Sequence, residues 1–321
     1  MINVLRQKLP EITENEPMAA HTTFKIGGPA RYFYVAQSRG QLLAAVKAAE
    51  ELNIPYFIFG RGSNLLVSDE GYQGLVIKNL SDGIEVSGDE ITAESGVGLS
   101  RLVGAATQAG LTGLEFAAGI PGSAGGAALG NAGAYGSSLG GVIKEIEIYQ
   151  NGEVKILSQK QMQYGYRDSV LKHQPGIVLS VKIKLKKAAL KEIQKEVVRI
   201  IMERKEKLPW EPSAGCIFKN IELKQAEIDE KRIIKELDIT KDEWKNATKY
   251  GKLAAGFIID HLNLKGKVIG GCQISQKHSA FFVNLGQAKA AHVMMLISDV
   301  KMEVRNRLGI QLQEEVRYLG F

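Results

Sequence analysis

Glycine density is the feature that most restricts how this chain can fold. Eleven of its 35 glycines lie between residues 110 and 141. Such a density costs conformational entropy in a helix or strand, and glycine has no side chain whose packing would offset that cost. We therefore expect the backbone of this stretch to lie against a bound cofactor, although a tightly packed corner between strands would use similar residues.

The same stretch bears on membrane insertion. Residues 116–143 contain no charged side chain, but they are mostly Gly, Ala and Ser and include Pro121. Large apolar residues are too few for a spanning helix, so the sequence predicts a loop here and no membrane partner. Residues 1–8 also lack the apolar core of a signal peptide, which predicts a cytoplasmic protein.

Charge and cysteine content restrict the partners. A net charge of +6 and an isoelectric point near 9.1 favour anionic partners. The basic residues are dispersed rather than gathered in a stripe with aromatic residues, which argues against nucleic acid. The only cysteines, Cys216 and Cys272, are too few for a disulfide framework or a four-thiolate zinc site, and no histidine has metal-ligand spacing. We expect a reducing compartment and no metal.

Hydrophobic periodicity predicts an alternation of helices and strands. The predicted helices cover residues 41–52, 188–208 and 288–308, with a charged, helical insertion over 221–252. The predicted strands cover 56–59, 74–77, 177–185 and 315–319, and 144–149 and 153–157 form a hairpin around Asn151-Gly152, a favoured two-residue turn.

Four short segments contain residue types suited to chemistry, and each has a structural alternative. Residues 60–67 could cradle a diphosphate with backbone N–H groups, or form an ordinary turn. Arg167, beside Tyr166 and Asp168, could clamp a carboxylate or form a structural ion pair. Cys216 follows a turn of small residues and could be reactive or an inert core residue. Glu314 and Glu315 could belong to a functional site or could be two solvent-exposed surface residues.

Taken in order, several segments together resemble one family. They are residues 22–30, 60–67, 119–136, 166–169, 214–220 and 315–317. Their sequences and order resemble the UDP-N-acetylenolpyruvoylglucosamine reductases of bacterial cell-wall synthesis, the MurB family, from about residue 21 to residue 320. The chain looks like the shorter subtype, since there is no room between Arg167 and Lys207 for the tyrosine-bearing substrate loop of the longer subtype.

The resemblance implies an α+β fold. A two-subdomain FAD-binding unit of the vanillyl-alcohol-oxidase (PCMH) type would be followed by an α+β substrate-binding domain. The predicted division is 1–78 and 79–206 for the two FAD-binding subdomains and 207–305 for the substrate-binding domain with its insertion at 221–252. A C-terminal strand in 306–321 would return a catalytic glutamate to the site. We expect a monomer.

Site residues are transferred only where this sequence matches the family's motifs. The resemblance implies catalytic roles for Arg167, Cys216 and Glu315. It implies FAD contacts from Arg61, Gly62, Ser63, Asn64, Leu65, Gly119, Gly122, Ser123, Gly126, Asn131 and Gly133. We also expect substrate contacts from Tyr166, Lys207, Lys219, Asn220 and Gln276.

The resemblance implies a ping-pong reaction in which NADPH reduces FAD and the enolpyruvyl UDP-sugar then accepts the hydride, giving UDP-N-acetylmuramate. The family's proton-donating serine is Cys216 here. A thiol is mostly protonated at neutral pH and is a stronger acid than a serine hydroxyl, so we expect function to be retained. Another FAD oxidoreductase acting on a hydroxy acid or sugar, and a basic RNA-binding protein without chemistry, remain the alternatives.

Overall fold

The structure is a computed structural model that describes all residues from Met1 to Phe321. Its nine α-helices are α1 Ile2–Lys8, α2 Arg39–Glu51, α3 Leu99–Gln108, α4 Ala124–Gly130, α5 Leu190–Lys207, α6 Glu230–Glu236, α7 Lys241–Thr248, α8 Ala255–His261 and α9 Ala290–Leu308. None of these helices combines the length and the apolar character that crossing a bilayer requires.

The strands are short, and most belong to three sheets. They are β1 Thr13–Pro17, β2 Pro29–Ala36, β3 Tyr56–Phe59, β4 Leu65–Val67, β5 Tyr72–Asn79, β6 Ile84–Ser87, β7 Glu90–Glu94, β8 Leu111–Thr112, β9 Gly133–Ala134, β10 Ser137–Ser138, β11 Ile143–Gln150, β12 Glu153–Ser158, β13 Ile177–Lys184, β14 Lys186–Lys187, β15 Ser213–Cys216, β16 Ile221–Glu222, β17 Lys252–Leu253, β18 Val268–Ile269, β19 Cys272–Ile274, β20 Phe281–Asn284 and β21 Arg317–Leu319.

The chain divides into two compact units. The first contains Met1–Glu16, Ala30–Arg61 and Gln73–Glu206, and the second contains Pro17–Pro29, Gly62–Tyr72 and Lys207–Phe321. Both this division and the sequence-based one place a boundary between residues 206 and 207. They differ in that two segments near the N-terminus belong to the second unit.

Backbone hydrogen bonds explain why those N-terminal segments belong to the second unit. The backbone N–H of Ser68 donates to the carbonyl of Leu319 at 2.9 Å. The carboxylate of Asp69 accepts from the first two N–H groups of α9, those of Ala290 at 2.8 Å and Ala291 at 3.0 Å. These contacts join residues more than 200 positions apart, which local sequence patterns do not reveal.

The first unit contains two larger sheets, each with its own core. One has the strand order β1-β2-β5-β3 and packs its apolar side chains with α1 and α2. The other has the order β12-β11-β13-β7-β6 and packs against α3 and α4. The predicted hairpin is present, since Gln150 pairs with Glu153 and the turn residues Asn151 and Gly152 have φ of 52° and 83°.

The glycine-rich stretch is not wholly a loop, which corrects the sequence-based interpretation. Residues Ala124–Gly130 form α4, because the Ser123 hydroxyl accepts a hydrogen bond from the Gly126 N–H at 3.3 Å and so caps the helix. Helix α4 ends at Gly130, and the next residue, Asn131, adopts the left-handed conformation. The surrounding residues remain turns and very short strands.

The second unit is built around α9 and the sheet β15-β20-β19-β18. The insertion between residues 221 and 252 forms α6 and α7, and side chains of both helices belong to the core of this unit. Ile233 and Trp244 are buried in the core of this unit. Arg232 also donates to the carbonyls of Asn306 and Arg307, both at 2.7 Å, and so satisfies the last turn of α9.

Candidate active site

A narrow glycine-lined loop lies in the first unit. An ideal Cβ on Gly60 would collide with the Oγ of Ser123, so this position requires glycine. A Cβ on Gly98 would lie 3.0 Å from Nη2 of Arg61, which places the guanidinium directly over that glycine. The structure therefore brings the predicted residues Arg61 and Ser123 close together, with Gly126 in the first turn of α4 bonded to Ser123.

An arginine that sequence reasoning missed lies beside Gly119. Gly119 has φ of 72°, and a Cβ there would lie 3.2 Å from Cδ and 3.4 Å from Nε of Arg204. The Nε of Arg204 is buried and has no hydrogen-bond partner. A buried N–H without an acceptor is costly, which indicates that a bound group supplies one.

Asn131 holds the glycine-rich loop together. Its Nδ2 donates to the carbonyl of Gly165 at 2.7 Å, and its Oδ1 accepts from the N–H of Gly140 at 2.9 Å. Nη1 of Arg167 donates to the carbonyl of Gly133 at 3.0 Å. The amide of Asn131 thus bonds to backbone through both of its ends, and Gly133 helps to position Arg167.

Arg167 has an unusual backbone conformation. Its φ is 53°, which is rare for a long side chain and is found at functional sites. The guanidinium lies 5.7 Å from the ring centroid of Tyr166. Asp168 pairs instead with His173 at 2.9 Å. Burial alone would raise the pKa of Asp168, but the hydrogen bond from His173 keeps it below its ordinary value.

The loop that follows residue 61 lies in the second unit and is fixed by backbone contacts. Gly62 has φ of 65°, and a Cβ there would collide with the carbonyl oxygen of His21. The N–H of Thr23 donates to the carbonyl of Gly62 at 3.1 Å. Nδ2 of Asn64 donates to the carbonyl of Glu315 at 3.0 Å, which joins this loop to the C-terminal catalytic candidate.

Cys216 and Glu315 lie on neighbouring backbone segments of the second unit. The N–H of Glu315 donates to the carbonyl of Ile217 at 2.7 Å, and the N–H of Lys219 donates to the carbonyl of Gln313 at 2.9 Å. The segment that begins at Cys216 therefore runs beside the segment that contains Glu315. The structure thus places two predicted catalytic residues, about a hundred positions apart in the sequence, on adjacent backbone segments of this unit.

The surroundings of Glu315 are well ordered by packing. Strand β21 pairs with β4, with Arg317 opposite Leu65. Burial lowers the pKa of Arg317, and burial together with the charge of Glu314 raises the pKa of Tyr318 to about 12. Glu314 is bonded to Lys301 at 2.7 Å and is only partly exposed, so a solvated surface pair is not what the structure contains.

Gly122 and Ser63 are both predicted to contact the cofactor, and the structure shows contacts of their backbone carbonyl groups. In the first unit, the carbonyl of Gly122 accepts from the N–H of Leu99 at 3.0 Å. In the second unit, the carbonyl of Ser63 lies 4.0 Å from the position of a Cβ on Gly215, the residue before Cys216. Ser63 thus lies close to the turn that presents the thiol.

The predicted substrate residues occupy different surroundings. Oδ1 of Asn220 accepts from the N–H of Ala255 at 3.3 Å and so caps the start of α8, which is a structural role. The amide of Gln276 lies over Gly266, where it would collide with any Cβ. Lys207 ends α5 and is exposed.

The chain matches two protein-family models and several known proteins. Residues 206–319 match the family model of the UDP-N-acetylenolpyruvoylglucosamine reductase C-terminal domain, and residues 30–152 match that of an FAD binding domain. The UDP-N-acetylenolpyruvoylglucosamine reductase of Caldanaerobacter subterraneus subsp. tengcongensis is 37% identical over 329 residues, covering 100% of this chain and 99% of the relative. The chain belongs to the UDP-N-acetylenolpyruvoylglucosamine reductase family.

Two further members of this family agree along nearly the whole length. The reductase of Alkaliphilus oremlandii is 38% identical over 311 residues, which is 95% of this chain and 92% of the relative. The crystal structure of the reductase from Thermus caldophilus superposes with a TM-score of 0.74 at 31% identity and covers 96% and 98% of the two chains. The predicted α+β fold class and FAD-binding unit are confirmed.

Proposed function

We propose that this protein uses FAD and NADPH to reduce the enolpyruvyl ether of UDP-N-acetylglucosamine to UDP-N-acetylmuramate, a step of peptidoglycan precursor synthesis. Family membership along the whole chain supports the reaction. The observation that carries it is the backbone hydrogen bond between Glu315 and Ile217, because it holds the segment of the candidate proton donor Cys216 beside the segment of Glu315. Reduction of a vinyl ether requires that one carbon receive a proton.

The residues of the first unit fit FAD. In the first unit, Gly60 lies against Ser123, and the buried Nε of Arg204 faces Gly119 without an acceptor. Hydroxyl, backbone and guanidinium donors suit an anionic diphosphate or the oxygens of a flavin ring. When bound, FAD would supply the hydride that the vinyl carbon accepts, having received it from NADPH.

Cys216 provides the proton in this mechanism. A thiol is a stronger acid than a serine hydroxyl, so Cys216 can donate the proton required at the substrate's α-carbon. It sits after Gly215, whose φ of 80° turns the chain. The hydrogen bond between Glu315 and Ile217 fixes the adjoining backbone, which keeps the Sγ in place for this transfer.

Arg167 and Glu315 stabilise the charge that develops on the substrate carboxylate. Hydride addition to the vinyl terminus pushes electron density into that carboxylate, so a preorganised positive charge lowers the barrier. Arg167 supplies it, held by its bond to Gly133. Glu315, on the segment hydrogen-bonded to that of Cys216, is the second group that we assign to this step.

The remaining roles are binding roles. We assign the FAD contacts to the glycine-rich loops described above, and the substrate contacts to Tyr166, Lys207, Lys219 and Gln276. Asn220 acts indirectly, because its side chain caps α8. We further propose that the protein works as a monomer in the cytoplasm, where the environment keeps the Cys216 thiol reduced.

Product analysis tests this function. The protein is first loaded with FAD and is then incubated with NADPH and the enolpyruvyl UDP-sugar. The sugar is afterwards analysed by mass spectrometry. We expect NADPH oxidation to depend on the sugar, and the product to be heavier than the substrate by two hydrogen atoms. NADPH oxidation that is unaffected by the sugar, with the sugar recovered unchanged, would contradict the proposal.

Replacement of Arg204 tests the cofactor assignment. Arg204→Leu is expected to weaken FAD binding by about 10- to 100-fold, because a hydrogen bond to a charged group contributes about 1.5–3 kcal/mol. The measurement is the dissociation constant of FAD, from the quenching of flavin fluorescence. Arg199→Leu is the matched control, since Arg199 lies on the same helix but is bonded to Glu196 and Glu203. Equal affinities of the two variants would remove Arg204 from the FAD site.

A further inference from the structure

An exposed tryptophan next to a lysine stands out on the surface of the second unit. The side chain of Trp210 is 71% exposed, whereas Trp244, the only other tryptophan, is 6% exposed. Nζ of Lys277 lies 6.0 Å from the ring centroid of Trp210. The indole thus presents a large flat surface with a positive charge beside it.

A continuous series of contacts connects this pair to Cys216. Lys277 precedes His278, whose ring packs edge-on against Phe281 at 5.0 Å. Phe281 is opposite Cys216 in the pairing of β20 with β15. Side chains of directly paired residues point to the same face of a sheet, so Phe281 and the thiol share one face. Trp210 also precedes Cys216 by only six residues, a span of at most about 20 Å.

The chemistry of the pair suits one end of the proposed substrate. A pyrimidine base stacks well on an indole, and an ammonium group attracts a diphosphate. A UDP-sugar carries both groups at the end opposite the reacting enolpyruvyl ether. We propose that Trp210 and Lys277 form the nucleotide subsite, with the uracil ring stacked on Trp210 and the diphosphate bound by Lys277.

This inference rests on the proposed function, because it assigns the UDP end of that substrate. Tyr250 with Lys249 offers similar chemistry, with Nζ 4.9 Å from the ring centroid and the tyrosine 83% exposed. That pair follows α7 on the insertion, and no strand pairing connects it to Cys216. It therefore provides a matched control with the same surface character.

The first test is a titration of the FAD-loaded protein with UDP alone, followed by tryptophan fluorescence. Because Trp244 is buried, the emission at long wavelength comes from Trp210. We expect UDP to quench this emission in the unaltered protein, and we expect no such quenching in Trp210→Phe. By calorimetry, Trp210→Leu is expected to bind UDP about tenfold more weakly or worse, since base stacking on an aromatic side chain has that magnitude. Lys277→Gln should also weaken binding, and Tyr250→Leu should not.

Steady-state kinetics separates this subsite from the reaction itself. Trp210→Leu is expected to raise KM for the enolpyruvyl UDP-sugar with kcat nearly unchanged. If the unaltered protein turns over the sugar and Trp210→Leu has the same KM and the same UDP affinity, the subsite is overturned and the proposed function stands. If UDP binds and quenches Trp210 but the sugar is not reduced, the proposed function fails and the nucleotide subsite stands.

Discussion

Cys216→Ala is expected to lower kcat for the complete reaction by about 10²- to 10⁴-fold, the range that a positioned proton donor contributes. The variant should still oxidise NADPH in the first half-reaction, because the thiol is needed only when the substrate carbon is protonated. Cys216→Ser should restore much of the rate, since a hydroxyl can donate a proton from the same position. Stopped-flow measurement of the two half-reactions distinguishes these effects.

The control for this result is Cys272→Ala. Cys272 is buried in the core of the second unit, and burial raises the pKa of its thiol to about 12. Removing it should affect stability and leave both half-reactions intact. A Cys216→Ala variant that completes the reaction at the rate of the unaltered protein would exclude Cys216 as the proton donor.

Arg167→Ala is expected to lower kcat by about 10²- to 10³-fold, which is typical of the loss of one preorganised group that stabilises developing charge. The kcat of Arg167→Lys should lie between those of Arg167→Ala and the unaltered protein. Lysine keeps the positive charge but lacks the planar guanidinium that matches a carboxylate. The rate of NADPH oxidation should change little in either variant.

An arginine on the same unit serves as the control for Arg167. Arg101 is exposed and pairs with Asp82, so Arg101→Ala should have the full rate. Circular dichroism of each variant should match the unaltered protein. If Arg167→Ala keeps its kcat and only its KM for the sugar rises, Arg167 binds the substrate equally in the ground and transition states and has no catalytic role of the kind described here.

Helices and hairpins could be predicted from the sequence where a short segment of residues specifies them. Asn151-Gly152 specifies the hairpin because both turn residues adopt positive φ. The long helix α9 follows from its apolar periodicity, although its first N–H groups are bonded to Asp69, a residue distant in sequence. Helix α4 was missed, because a run of Gly and Ala gives no periodic signal and only the Ser123 cap marks its start.

Some parts of the candidate site could likewise be predicted from short segments, and others could not. Cys216, Arg167 and Glu315 lie in recognisable motifs, whereas the hydrogen bond that joins Glu315 to Ile217 depends on tertiary packing. Arg204 could not be predicted, because its helix has an ordinary amphipathic pattern and only the folded chain places its Nε beside Gly119. The sequence does not show that the side-chain amide of Asn131 hydrogen-bonds to the backbone of Gly165 and Gly140. Only the folded chain shows these two bonds.

The most direct test of the account is an anaerobic visible spectrum of the FAD-loaded protein, recorded before and after NADPH and again after the enolpyruvyl UDP-sugar. The account predicts that the flavin absorption band is present, disappears with NADPH and returns with the sugar. A protein that cannot be loaded with FAD, or a band that disappears and does not return with the sugar, would contradict it.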